Sequence, residues 1–517
     1  MRALPFVLRV TLVRVFLAPP LAAQQVSPTS AAVSAYVPVG HWAMPYVEHL
    51  IAVGAIRDPT PLTRPLRRTD LVRALTEADT APAGSATRAA VRRLIAEFRD
   101  RTGDHYRVEA SGGVAAATHP LRDPLSVGRG VPPRPTGPSR AFVSADVALS
   151  AQFGPFVAVT HPTEDTRLRF DPEWTDSRRN GLRITEAYLS AQGRYGELFF
   201  GILDRNWGPS GAPGLLLSDY PYSMDHLYLR VGTPELQLQA IATELDPTTD
   251  STGAAINRFM VQHRLYVRPR GRWSIALWEG SFWAGAGRQA EPWYLNILNV
   301  GLLVQGYSGG DVNNLLGLDV ERRGATTVFG QLMLDDIQYE HQAATDLKPA
   351  SYGLTVGAKG RVGGAASWTL FYTQVANLTY RNENDFQVTL LRGLGIGRNF
   401  AAYDQATIKL GVLTSPGVLL EPELTLLRQG EGDPRLPHPL PPDYPATATL
   451  FQGVMERTWR VALGADWHHG RWSVRGNGGA HFITNTGHVQ GASDTRWVGT
   501  LGIKYTLAWE GRLGSTP

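Results

Sequence analysis

The chain contains no cysteine among its 517 residues. Disulfides, iron–sulfur clusters and cysteine-ligated zinc are therefore excluded. Beyond residue 23, no stretch approaches the ~18 uninterrupted apolar residues that a membrane helix requires. A mature chain that spans a membrane must therefore do so as a closed barrel, because lipid cannot satisfy the polar backbone groups of an open sheet.

The first residues have the composition of a secretory signal peptide. Arg2 precedes an apolar stretch from Leu4 to Leu21, and the small residues Ala22 and Ala23 follow. We predict a signal peptide over residues 1–23; an ordinary basic N-terminus is the alternative. Its removal takes away three arginines and no acidic residue, so the formal net charge falls from +4 to about +1. The basicity of the whole chain therefore gives no support for nucleic-acid binding.

Two C-terminal segments alternate between an apolar and a polar face. In segment 497–509 the apolar face comprises Trp497, Leu501, Ile503, Tyr505, Leu507 and Trp509. Segment 459–467 repeats the pattern, again with a tryptophan at each end. A strand of about a dozen residues with aromatics at both ends of its apolar face is typical of a strand that crosses a bilayer between lipid and a polar lumen.

From His105 onward, tight turns alternate with long polar stretches. The tight turns follow Phe153, Gly193, Val231, Arg268, Glu321, Arg361, Thr414 and Trp467. The long stretches are centred near residues 129, 170, 214, 251, 296, 344, 388, 442 and 488. With a first strand near residues 105–118 and a last strand ending at Trp509, about 18 antiparallel strands are predicted.

The predicted fold class is therefore mainly β: an outer-membrane antiparallel β-barrel over residues 104–517, in the cell outer membrane. Bacterial barrels keep their short turns on the periplasmic side and their long loops outside. A soluble all-β sandwich or propeller is the alternative, although soluble strands rarely place tryptophans at both ends of an exposed aliphatic face.

Residues 34–103 have helical periodicity instead. Pro45 suits the first turn of one helix, and Thr69 and Ser85 suit the N-caps of two others, the last of which ends before Gly103. We predict a small N-terminal α-helical periplasmic domain. It either caps the lower mouth of the barrel or hangs free beneath it.

Three segments carry more specific motifs. They are FFGILDRNWGPSGAPGLLLSDYPYSM at 199–224, EPWYLN at 291–296, and NNLLGLDVERR followed by GQLMLDD within 313–336. In this order they resemble the Wzi-type capsule assembly family of Gram-negative outer membranes, best over residues 200–340. The resemblance implies an 18-stranded barrel with a periplasmic helical bundle, acting as a lectin that helps hold capsular polysaccharide at the cell surface.

The N-terminal segment resembles a single S-layer homology repeat. The likeness is carried by His41, Trp42, Leu50, Gly54, Ile56, Thr63, Arg64 and Leu71. That family binds cell-wall polymers, so the resemblance implies peptidoglycan as a partner. The alternative is a helical pair that packs on itself and on the barrel.

Sugar recognition needs aromatic faces and planar hydrogen-bonding groups, and the predicted loops contain both. The candidate polysaccharide-binding residues are Arg205, Asn206, Trp207, Trp283, Arg288, Trp293, Tyr294 and Asn296. The alternative is that these side chains fold the loops inward and plug the barrel.

Catalysis and metal binding have little support in the sequence. Asp335 and Asp336 are adjacent on a predicted strand and point to opposite faces, and the same holds for His468 and His469. His263 has no serine nearby, although a hydrolase site can assemble from distant residues. We therefore predict no enzyme, no cofactor and no metal.

The predicted partners are capsular or other surface polysaccharide and outer-membrane lipid. The alternative function is a diffusion porin for sugars or small solutes, because 18 strands can enclose an aqueous lumen. The inward-facing side chains would be Arg230, Gln237, Gln239, Lys359 and Arg460. The abundance of Trp and Pro in the predicted loops favours the lectin. The sequence leaves open which polysaccharide binds, the oligomeric state, and whether the barrel is open or plugged.

Overall fold

The computed structural model describes most of the chain after the predicted signal peptide. The described residues are 33–80, 84–99, 103–119, 121–125, 140–171, 173–174, 181–269, 271–308, 310–336 and 347–514. The predicted signal peptide, residues 1–23, lies outside them.

Within these ranges, eighteen antiparallel strands form one closed barrel. The first nine are β1 His105–Ala117, β2 Ala141–Phe153, β3 Phe156–Asp165, β4 Leu182–Gln192, β5 Gly196–Ile202, β6 Asp225–Gly232, β7 Leu236–Glu244, β8 Ala255–Val267 and β9 Trp273–Ala286. The others are β10 Asn313–Arg322, β11 Thr326–Asp336, β12 Ser351–Val362, β13 Ala366–Val375, β14 Tyr403–Ser415, β15 Val418–Gln429, β16 Glu456–His469, β17 Trp472–Thr484 and β18 Ser493–Arg512. The predicted strand count and all eight tight turns are confirmed.

The barrel closes where its last strand pairs with its first. The register runs from Thr500 opposite Ala117 to Arg512 opposite His105. Strand β18 therefore continues past Trp509, where its end was predicted. Glu510, Gly511 and Arg512 pair with the first residues of β1, so these three residues belong to the barrel wall.

The two faces of the wall differ as the alternation predicts. On β16, Trp459, Val461 and Leu463 are between 43% and 53% exposed, while Arg460 and Asp466 on the opposite face are buried. Trp497 is 77% exposed on β18. A wall with apolar side chains outside and polar side chains inside is the arrangement of a membrane-spanning barrel.

Before the barrel, the described residues from 33 to 103 form three helices: α1 Met44–Ala52, α2 Arg68–Asp79 and α3 Ser85–Phe98. Pro45 lies in the first turn of α1, as predicted. The predicted N-caps are wrong by one or two residues, because the N-cap positions are Arg67 for α2 and Gly84 for α3, and neither residue caps its helix with a side chain. Among the described residues, no helix has the length and apolarity that crossing a membrane requires.

The helices pack against the short-turn end of the barrel and do not hang free. The Tyr46 hydroxyl donates to the carbonyls of Gly417 and Asp466, each at 2.9 Å. Trp42 stacks on His468, with ring centroids 3.4 Å apart. Leu413 and Leu419 from the wall complete the apolar core of the three helices. The helices therefore lie across the short-turn mouth of the barrel.

Candidate binding cavity inside the barrel

The segment between α1 and α2 enters the lumen from the short-turn end. Thr63 and Arg64 form an antiparallel pair with Trp207 and Asn206. The Leu62 carbonyl accepts a hydrogen bond from the Gly208 N–H at 3.1 Å and another from Arg264 at 2.9 Å. Because Arg264 projects inward from β8, these contacts place the segment inside the barrel.

The loop between β5 and β6, residues 203–224, folds into the lumen from the opposite end. Its run Leu215, Leu216 and Leu217 is at most 2% exposed. Gln331 on β11 accepts from the Leu215 N–H at 2.8 Å and donates to the Trp207 carbonyl at 3.0 Å. We call this segment the lumen loop.

A third segment, residues 376–402 between β13 and β14, packs on the lumen loop. The Ser218 N–H donates to the Ile396 carbonyl at 2.9 Å, and the Tyr380 hydroxyl donates to the Leu215 carbonyl at 2.5 Å. Side chains of both loops share one apolar core with inward-facing residues of the wall. The three segments therefore fill much of the barrel interior with protein.

A buried ion cluster joins α1 to the lumen segments. Arg64 is 5% exposed and contacts Glu48 at 2.6 Å and Asp58 at 2.9 Å. The Ser210 hydroxyl of the lumen loop donates to the same Glu48 carboxylate. Burial alone raises the pKa of Glu48, but the Arg64 guanidinium outweighs it and holds that pKa below its usual value. One guanidinium thus contacts two carboxylates, and the cluster fixes α1 to the loop.

These segments leave a polar cavity of about 500 Å³ beside β12–β17. Glu48 and His49 of α1 line the end of the cavity nearest to the short turns, and Asp123 and Arg460 line its opposite end. Between them, the lining residues that carry hydrogen-bonding groups include Ser210, Arg398, Thr407, Lys409 and Glu423.

Charges of both signs alternate along the cavity. Arg460 contacts Asp123 at 2.6 Å and Glu423 at 3.5 Å, and Lys409 lies 3.9 Å from Glu423. Arg398 donates to the hydroxyls of Thr355 and Thr373, each at 3.2 Å. Such a lining can donate to and accept from many hydroxyl groups without a strong preference for one sign of charge.

Arg205, Asn206 and Trp207 all lie inside the barrel, on the lumen loop. Trp207 is 2% exposed, so protein covers both faces of its ring. Arg205 donates to the His226 ring at 2.8 Å and stacks over Tyr228 at 4.1 Å. Asn206 bonds within its own loop and lines the cavity.

The five other predicted binding residues lie away from the first three: Trp283 is on strand β9 and not on a loop as predicted, and the other four follow it on the loop between β9 and β10. Trp283 is stacked between Phe259 and Tyr294 and is 1% exposed. Arg288 is paired with Glu291 at 2.6 Å. Trp293 is 43% exposed, and the Asn296 side chain is also exposed. Sequence reasoning thus named two separate groups of residues as one site.

Most residues that line the cavity were not predicted from the sequence. Lys359 and Arg460 were identified as inward-facing from strand alternation, and the same alternation applies to Lys409 and Glu423. Glu48 and Arg398 have no such signal, because a helix and an irregular loop bring them to the cavity.

The overall fold matches known outer-membrane barrels. The chain is similar to Wzi from Escherichia coli, an outer-membrane protein involved in group 1 capsule assembly and described as a carbohydrate-binding β-barrel. The two share 15% sequence identity over 90% of this chain and 98% of that one, with a TM-score of 0.60. This chain is an outer-membrane β-barrel with a Wzi-like fold. No protein-family model and no curated protein matches it.

Two further structures are more distant. The outer-membrane protein OpdK of Pseudomonas aeruginosa has 13% identity over 78% of this chain and 99% of that one, with a TM-score of 0.44. OccD3 (OpdP) of the same organism has 12% identity over 79% and 92%, with a TM-score of 0.44. At 15% identity, the likeness to Wzi shows a shared fold and not a shared function.

Proposed function

We propose that this protein binds capsular or another surface polysaccharide and helps to anchor or assemble it at the outer membrane. The observation that carries the proposal is the filling of the lumen by three protein segments, which leave a polar cavity beside the wall. A binding barrel tolerates such filling, whereas a diffusion pore depends on a continuous bore.

The chemistry of the cavity supports a carbohydrate ligand. Its volume of about 500 Å³ lies within the range of ~300–1,000 Å³ that is usual for ligand sites. Lys359 is 3% exposed, lies 3.8 Å from Glu321 and makes no hydrogen bond within the described residues. Sugar hydroxyls both donate and accept, so they suit a lining in which ammonium, carboxylate and hydroxyl groups alternate.

Of the residues predicted to bind polysaccharide, Asn206 is the one that lines the cavity. We assign Arg205 and Trp207 the role of holding the lumen loop in place, because both are covered by protein. Attachment to peptidoglycan through the N-terminal helices remains a prediction. Trp42 is the aromatic of that segment that stacks on the barrel rim.

The alternative function, a sugar or solute porin, is favoured by one observation. The cavity extends from α1 to the Asp123–Arg460 pair, and the Lys409 and Arg475 side chains on its wall are 43% and 46% exposed. A wet, charged strip of this kind would suit a solute path if the helices or loops moved aside.

The first experiment compares cell-bound with released polysaccharide in a strain that lacks the gene and in the same strain with the gene restored. We expect the polysaccharide to be made in both strains and to shift into the medium when the gene is absent. An unchanged distribution would overturn the proposal. Conductance of the purified protein across a planar bilayer then tests the porin, which requires steady open steps.

A double substitution tests whether the cavity is the binding site. Lys409→Met with Glu423→Gln removes two opposite charges that face the cavity, and we expect it to release polysaccharide as the deletion does. The matched control is Arg496→Met with Asp494→Asn, an ion pair at 2.6 Å outside the cavity. Release by the control alone, or by neither variant, would place the binding surface elsewhere.

A further inference from the structure

The loop between β9 and β10 lies on the outside of the barrel wall. It contains two short helices, α4 Pro292–Leu295 and α5 Gly301–Ser308.

On β9, Trp278 points inward and donates to Asp319, whereas Trp273 and Leu277 point outward and are 45% and 54% exposed. The outward-facing residues that follow on the same strand are buried; they are Glu279, Ser281 and Trp283. The helical loop covers them, and we call residues 287–308 the outer hairpin.

Hydrogen bonds hold the outer hairpin to the wall. The Gly301 N–H donates to both carboxylate oxygens of Glu279, at 2.8 and 2.9 Å. Asn314 accepts from the Ser281 hydroxyl at 2.6 Å and donates to Gln305 of α5 at 2.7 Å. A Cβ atom on Gly301 would lie 2.2 Å from the Ser281 hydroxyl oxygen. Glycine at this position therefore permits the close approach.

The covered strip of the wall is polar. His263, which faces outward from β8, lies 2.9 Å from Glu279, and both residues are less than 9% exposed. A charged side chain on the lipid face of a barrel destabilises it most near the bilayer midplane. The outer hairpin shields this pair from lipid.

The opposite side of the outer hairpin is apolar and uncovered. Residues 292–308 contain no charged side chain, and the charged residues Arg288, Glu291 and Asp311 lie near its ends. Leu298 is 75% exposed and Leu303 is 68% exposed. Other exposed apolar residues are Leu295, Val300 and Leu302.

The depth of the hairpin follows from its contacts on β9. Strand β9 begins with Trp273 at the short-turn end of the barrel. The hydrogen bond from the Gly301 N–H to Glu279 is the contact of the hairpin nearest to that end. With about 3.3 Å per residue and a tilt of about 40°, Glu279 lies roughly 15 Å above Trp273. The apolar band of such barrels is ~25 Å tall. With Trp273 taken as the lower edge of this band, the Glu279–Gly301 contact lies about 10 Å below its upper edge, at a depth typical of interfacial helices.

We propose that the outer hairpin is a lipid-contacting element, which inserts its uncharged tip between acyl chains of the outer leaflet and seals a polar strip of the barrel wall. Continuity with the lipid-facing wall decides in favour of lipid over a second copy of the chain, because the exposed leucines extend the apolar surface formed by Leu277. This role is independent of polysaccharide binding. It also places Trp293, 43% exposed, next to the bilayer surface, where tryptophan is favoured.

The absence of native cysteine permits a direct test with single nitroxide labels. Leu298→Cys and Leu303→Cys are labelled in protein reconstituted into phospholipid vesicles, and accessibility to oxygen and to a water-soluble nickel complex is measured. Val461→Cys on the bare wall is the lipid reference, and Leu440→Cys, 67% exposed in a long loop, is the aqueous reference.

We expect both hairpin labels to match the Val461 label, with high oxygen and low nickel accessibility. Nickel accessibility equal to that of the Leu440 label would overturn the proposal, because the hairpin would then lie in water. Spin–spin broadening that disappears on dilution with unlabelled protein would also overturn it, since a second copy would then cover the tip.

A pair of glycine substitutions tests how the hairpin is held. Gly301→Val should displace the hairpin and increase the mobility of the Leu298 label. Gly306→Val is the matched control on the same helix, because no atom beyond its chain neighbours and the helix backbone lies within 4 Å of the position its Cβ would take. Equal mobility in the two variants would contradict the proposed attachment of the hairpin to the wall.

Discussion

At the residue scale, His49 shows how the packing of the helices against the barrel alters a single side chain. It is 5% exposed on α1, and its Nδ1 lies 2.9 Å from the Ser367 hydroxyl of β13. Burial lowers the pKa of His49 from 6.5 to about 4. The docked helix therefore requires a neutral imidazole at neutral pH.

This shift predicts a loss of stability in acid. Above pH 6.5 the ring is neutral in both folded and unfolded states, so it adds no pH dependence. As pH falls from 6.5 towards 4, the unfolded state binds the proton first, and the free energy of unfolding falls by up to about 3 kcal/mol. Denaturant unfolding in detergent at pH 7.5 and pH 4.5 measures the change.

The control for His49 is His49→Gln, which keeps a polar side chain and cannot be protonated in this range. We expect the difference in unfolding free energy between the two pH values to be smaller in this variant than in the parent. An equal difference in both proteins would mean that other groups, such as the half-buried His41, whose pKa is also lowered by burial, account for the acid sensitivity.

At the element scale, the lumen loop decides whether the barrel is filled or open. Its position depends on the buried run Leu215–Leu217 and on hydrogen bonds to Gln331. Each buried leucine contributes about 1.5–3 kcal/mol through removal from water. The loop is therefore held chiefly by its apolar tip.

Replacing all three leucines of this run with serine should release the loop from the lumen. We expect single-channel conductance in planar bilayers to rise, because the core that fills the barrel loses its centre. Leu436→Ser with Leu440→Ser is the control, since these side chains are 47% and 67% exposed on another loop. A conductance unchanged by the triple substitution would show that the N-terminal segment and residues 376–402 suffice to close the bore.

At the scale of the whole molecule, closure depends on the last strand. The residues beyond Trp509 extend the pairing of β18 with β1, and Glu510 lies 2.8 Å from Arg107. Full closure leaves no strand edge exposed to lipid. The C-terminal end of β18 is therefore part of what holds the barrel together.

Truncation after Trp509 should weaken the barrel, whereas truncation after Leu513 should not. The first deletes the pairings of Glu510, Gly511 and Arg512, and the second keeps them. The temperature at which the folded band is lost on an unboiled gel measures the effect. We expect a lower temperature for the shorter chain alone, and equal temperatures would contradict a role for these residues in closure.

The sequence by itself determined the wall of this protein. Side-chain alternation has a period of two, and turn residues act locally, so the pattern around Trp459–Trp467 and tight turns such as the one after Phe153 predicted strands and their number. The signal for the helix that contains Pro45 was equally local, because proline in the first turn depends only on neighbouring residues. The N-caps were wrong because α2 and α3 begin after Arg67 and Gly84, and at α2 the Ser34 hydroxyl, from another segment, accepts the Thr69 N–H.

Only the tertiary structure decided what fills the wall and what covers it. Trp207 and Trp283 look alike in sequence, yet one lies in the lumen core and the other beneath the outer hairpin. The cavity brings together Glu48, Arg398 and Lys409, which come from three distant segments. Such contacts depend on which loops fold inward, and that choice is set by packing between segments far apart in the chain and not by any local period.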